Sequence, residues 1–144
     1  MPVKTKDVVD RLFEMAVVLH DLMDRRLAED GLTPARAEVI WLLHRYGQLT
    51  QRELSGMLDC TPRNVTGLVD MLETTGFVVR APHPTDRRAR LVTLTATGVE
   101  LATAWGSDRN REFAQVFAGI SGAELGTFDG VLERVLTKLR PSVP

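Results

Sequence analysis

Between Val8 and Leu27 the apolar residues Val8, Leu12, Met15, Leu19, Met23 and Leu27 recur at intervals of three and four, and Phe13, Ala16 and Val17 widen the stripe. This spacing predicts an amphipathic helix, since positions three and four apart share one face. Gly31 closes it, and Thr33-Pro34 opens a second. The threonine caps, and the proline stands where a helix has no use for a backbone N–H. Ala37, Ile40, Trp41 and Leu43 then point toward a core until Gly47. Thr50 with Glu53 three residues on is a capping box, so a short third helix starts at Gln51 and carries Leu54, Met57 and Leu58 inward. Asp59-Cys60 is a tight joint, and Thr61-Pro62 opens a fourth helix, with Val65, Leu68, Val69 and Leu72 as its buried stripe and Gly76 as its left-handed cap.

After Gly76 the period changes. Residues 77–80 and 91–94 are apolar and β-branched, and the PHPTDRRA segment between them is polar and broken by prolines. They are expected to form two strands of a hairpin with a long exposed loop. A fifth helix is expected over about 97–118, with a polar middle at 106–111 where a break is conceivable. Ser121 and Glu124 form another capping box, and apolar residues from Leu125 to Leu139 continue at near-heptad spacing up to Pro141. The expected fold class is mainly α with a small β-hairpin (α+β). Two short helices joined by a few residues, the second opening with polar side chains, make a helix-turn-helix.

Composition narrows the function. A chain of 144 residues, 44% hydrophobic, supports one compact domain. Its net charge is -1, so a polyanionic partner must be met by a local patch. The lone Cys60 forms no intrachain disulfide, no apolar run reaches membrane-spanning length, and the first residues lack the apolar core of a signal peptide. A cytoplasmic protein with no membrane association is expected. The three histidines fall on different elements without metal-ligand spacing, and HExxH, CxxC, GxSxG, P-loop and GxGxxG motifs are all missing. Neither an enzyme nor a metal or organic cofactor is expected. Cys60 reads as a small apolar residue of the joint, with redox sensing as the alternative.

The first turn of the fourth helix presents Thr61, Arg63, Asn64 and Thr66. Arginine can be bidentate to guanine and asparagine to adenine, and helix N-termini attract phosphate. A solvated face with an ordinary cap would look the same. The hairpin weighs toward DNA: Arg80, Arg87, Arg88 and Arg90 oppose only Asp86, a local charge of +3. Arginine at a strand-pair tip can enter a narrow minor groove, and Asp86 is placed to hold a guanidinium.

Residues 32–98 resemble the MarR family of bacterial winged helix-turn-helix regulators. The likeness is carried by Leu68-Val69-Asp70-x-Leu72-Glu73 running to Gly76, by Asp86-Arg87-Arg88, and by Leu94-Thr95-x-x-Gly98. It implies a winged helix-turn-helix lobe over about 33–96, and N- and C-terminal helices (about 1–31 and 97–144) that join two subunits into a homodimer on double-stranded DNA. By position, Thr61, Arg63, Asn64 and Thr66 match the recognition surface. Arg88 matches the minor-groove arginine, with Asp86 bracing it and Arg87 near the backbone, and Gln51 and Arg52 fall where phosphate is touched. Gly67 departs from the arginine many members carry, and the first helix lacks the thiol of the peroxide-sensing branch. The resemblance further implies a repressor on a palindromic operator, released by a small aromatic or phenolic effector. Met15, Leu19, Trp41 and His44 could line such a pocket or be plain core. The alternatives are a ligand-blind architectural DNA-binding protein and a helical dimeric protein-interaction module.

Overall fold

The computed structural model describes residues 1–140. The element order is α1 (Thr5–Glu29), α2 (Pro34–Tyr46), β1 (Leu49–Thr50), α3 (Gln51–Leu58), α4 (Pro62–Thr74), β2 (Val78–Pro82), β3 (Arg90–Leu94), α5 (Ala96–Val116) and α6 (Gly122–Leu139). The chain divides into two units, residues 1–104 and 105–144, with α5 contributing to both. Pro141, expected to stop the last helix, lies outside the described residues.

In the first unit the helix starts fall where their caps dictate. Thr33 Oγ1 accepts from Arg36 N–H, Thr61 Oγ1 accepts from Asn64 N–H at 3.2 Å, and Thr50 and Glu53 satisfy each other's backbone N–H groups at 3.0 and 2.8 Å. Each side-chain oxygen takes a donor that the first helical turn leaves without a partner. Between α3 and α4, Asp59 takes a left-handed conformation (φ 49°) and Ser55 Oγ donates to the Cys60 carbonyl at 2.6 Å, which closes the joint in three residues. α4 ends on Gly76 (φ 85°), where Phe77 N–H reaches back to the Leu72 carbonyl. That left-handed turn is one a side chain resists.

The hairpin of β2 and β3 pairs Val78 with Leu94 through to Pro82 with Arg90. A third strand escaped the sequence reading. β1 is only two residues long and pairs Leu49 with Val92 on the far edge, giving the sheet order β1-β3-β2. The core lies where α2, α3, α4 and the sheet meet: Val39, Ile40, Leu54, Val65, Val69, Leu72, Val78 and Val92 are fully buried. Two expected core residues differ, since Trp41 and Met57 are 41% and 46% exposed. Helical periodicity assigned them to a face but could not say how far that face is covered.

Gly98 explains the Leu94-Thr95-x-x-Gly98 pattern. Thr95 Oγ1 donates to the Gly76 carbonyl at 2.6 Å and accepts from Gly98 N–H, so one hydroxyl ties the end of α4 to the start of α5. A Cβ at position 98 would collide with the Phe77 carbonyl oxygen.

α1 departs most from a monomeric expectation. Of its wide stripe only Leu27 is buried, while Phe13, Val17 and Met23 are more than 60% exposed. In the second unit α5 continues without a break through its polar middle, and α6 starts on the predicted capping box. Ser121 N–H and Oγ both donate to Glu124, and the backbone bond in particular holds the Glu124 carboxyl below its ordinary pKa. Leu125, Phe128, Val131, Leu136 and Leu139 remain over 40% exposed.

Candidate nucleic-acid interface

The first turn of α4 is fixed by its cap. The Thr61 hydroxyl oxygen is engaged with the Asn64 backbone, so Thr61 serves the helix first. Arg63 and Asn64 are exposed, and neither side chain has a partner among the described residues. These are the two side chains of the turn free to meet base edges or phosphates.

Thr66 and Gln51 carry contacts that the sequence does not show. Thr66 Oγ1 donates to the Pro62 carbonyl at 2.9 Å and receives Gln51 Nε2 at 3.2 Å, while Gln51 Oε1 accepts from Arg80 Nε at 2.9 Å. Both polar groups are satisfied internally, so they build the site's frame. Arg80 is corrected too. It counted toward the hairpin's positive charge, yet its guanidinium is mostly buried and paired with Asp70 at 2.6 Å and Glu73 at 3.2 Å. The cationic surface of the hairpin is therefore Arg87, Arg88 and Arg90. With Arg52 and Arg63, these guanidiniums are exposed, and none has an ion pair among the described residues. Arg90 was not among the expected site residues. It lines a shallow groove with Gln51, Thr66, Asp70, Glu73 and Arg80, which brings the loop end of the hairpin beside α4.

The loop at residues 83–89 is held by its own hydrogen bonds. Asp86 does not brace the Arg88 guanidinium; Oδ1 accepts the Arg88 backbone N–H at 2.9 Å. A carboxylate two residues back reaches a backbone donor more easily than the tip of a long side chain. His83 Nδ1 accepts from the backbone N–H groups of Thr85 and Asp86 at 3.2 and 3.0 Å. The ring nitrogen does there what an aspartate oxygen does in an Asx turn. These bonds pre-order the loop and leave the arginine side chains outward, so less freedom is lost on binding.

Of the residues suggested for an effector pocket, Trp41 and His44 stand with ring centroids 6.4 Å apart, Met15 is exposed and Leu19 half-buried. Among the described residues no cluster of potential ligands could hold a metal ion, and no helix is long and apolar enough to cross a membrane.

Two helices crossing at a tight joint, a three-stranded sheet and a basic loop together define a winged helix-turn-helix unit. Comparison with known proteins agrees. The MarR family model matches residues 32–89. The chain is 26% identical to the HTH-type transcriptional regulator MhqR of Bacillus subtilis over 117 residues, 81% of each chain. It is 30% identical to YkoM, an uncharacterised HTH-type transcriptional regulator of the same organism, over 73% of this chain and 67% of that one. Among solved structures, a variant of S. aureus MepR bound to an oligodeoxyribonucleotide superposes with a TM-score of 0.71 at 21% identity, covering 96% of this chain and all of that one. The chain belongs to the MarR family of DNA-binding transcriptional regulators, which are not enzymes.

Proposed function

We propose that the protein acts in the cytoplasm as a homodimeric repressor on a two-fold symmetric operator, with Arg63 and Asn64 reading bases and Arg87, Arg88 and Arg90 following groove shape and backbone. The observation that carries this reading is the sorting of the arginines. Arg80 is engaged by Asp70 and Glu73, whereas Arg52, Arg63, Arg87, Arg88 and Arg90 stay exposed with no ion pair among the described residues. Cations kept free of partners on a chain of net charge -1 favour a polyanion met locally.

Dimerisation is supported by the uncovered stripe of α1 and the apolar residues left exposed on α6. Large contiguous apolar surface is costly in water and is normally covered by another chain. A second copy places two recognition helices about one helical turn apart, roughly 10 base pairs, which asks for a symmetric site. Release by a small aromatic or phenolic effector is supported by the Trp41–His44 ring pair with its exposed indole. Sedimentation of the protein with a bound duplex tests the assembly. Two chains per duplex are expected, and one chain per duplex with a monomeric free protein would refute the dimer.

A further inference from the structure

Arg80 stands on β2, yet its side chain belongs equally to α3 and α4. Nε donates to Gln51 Oε1, the terminal nitrogens reach Asp70 Oδ1, Glu73 Oε1 and the Thr66 carbonyl, and the Arg80 backbone N–H donates to Glu73 Oε2 at 3.2 Å. The side chain is 14% exposed, and Asp70 and Glu73 are 59% and 44% exposed. One planar donor fork thus spans the first residue of α3, two turns of α4 and the strand leading into the basic loop. Lysine has neither the fork nor the reach to several acceptors at fixed angles. The same contacts set one positive charge against two carboxylates on the helix that carries Arg63 and Asn64.

We infer that Arg80 is a positioning residue for DNA recognition: its guanidinium fixes α4 against the wing, so that the base-reading turn and the loop arginines meet one duplex in a single register. The inference rests on the DNA-binding reading of α4 and the wing. It assigns Arg80 no contact with DNA, because four of its five guanidinium donors are already taken and its side chain is mostly buried.

The test uses the full-length protein, a duplex selected from random DNA and a scrambled duplex of the same composition. Arg80→Lys keeps the charge and is expected to lower the ratio of selected to scrambled affinity about tenfold, the cost of roughly one mismatched base pair. The log-log salt slope should stay at its wild-type value. A retained ratio would overturn the inference. Arg80→Met, which removes the charge, should leave the slope unchanged as well, and a slope reduced by about 0.9 per chain in that variant would overturn the inference, since Arg80 would then be a phosphate contact.

Asp70→Asn keeps the inference falsifiable if the Arg80 variant folds poorly. Deleting an anion near DNA should by charge alone raise affinity for both duplexes equally. Loss of the clamp instead raises scrambled binding while lowering the ratio, and an equal rise would overturn the proposal. If the wild-type protein prefers no sequence at all, the DNA reading itself fails, an outcome distinct from a preference that survives Arg80→Lys.

Discussion

Removing one wing arginine should change how binding responds to salt as well as how tight it is. Arg88 is exposed, and among the described residues its side chain has no partner while its backbone N–H donates to Asp86. Arg88→Ala therefore breaks no internal ion pair and should leave the thermal transition close to that of the wild type. In a symmetric dimer the substitution removes two cations from the interface. Each phosphate neutralised contributes about 0.9 to the log-log salt slope, so the slope should fall by about 1.8. Between about 50 and 200 mM salt, that difference makes the variant's deficit shrink about twelvefold. Fluorescence anisotropy with a labelled operator duplex over that range measures it. An unchanged slope and affinity would show that the wing tip does not meet DNA. A slope change of only about 0.9 would point to one wing engaged per complex.

Other consequences are equally concrete. Gly67→Ala adds a Cβ into open space within α4, so the protein should gain about 1 kcal/mol, or about 2–4 °C in Tm by calorimetry, while Gly98→Ala should lose stability through its clash with Phe77. Phe13→Asp with Val17→Asp places charge on a stripe that is 70% and 62% exposed at these positions, and sedimentation velocity should then report monomers with helical content retained. A variant that remains dimeric would remove α1 from the interface. The capping bonds at Ser121 hold Glu124 ionised below the usual carboxylate pKa, so the α6 cap is intact above that range and lost as pH falls through the lowered value. Acid titration followed by NMR of the Glu124 side chain should show the low pKa, and Ser121→Ala, which removes the hydroxyl donor but keeps the backbone N–H, should raise it only part of the way toward the ordinary range.

Much of this fold was legible because its signals are local. Thr33, Thr50, Thr61 and Ser121 declare helix starts through donors three residues away, and Gly76 declares an end through its own φ. What was hidden depends on distant partners. β1 exists only because Val92 lies opposite Leu49, and two residues carry no periodicity of their own. Arg80 resembled the other hairpin arginines until the fold brought it to Gln51, 29 positions away, and to Asp70 and Glu73. Thr66 and Gln51 are residue types fit for DNA whose polar atoms also hold one another and the Pro62 carbonyl. Asp86 and His83 had the right neighbourhood, but their acceptors serve the backbone of the loop. Committed and uncommitted donors could thus be told apart only once the fold had placed their partners.

The central claim is that two copies of the free arginine set, one per subunit, read a symmetric site. Selection from a random-sequence duplex library followed by sequencing tests it most directly. The account predicts one enriched motif with two-fold symmetry and half-sites centred about 10 to 10.5 base pairs apart, with an A/T-rich stretch where each wing lies. Enrichment of an asymmetric motif, or of none, would contradict it.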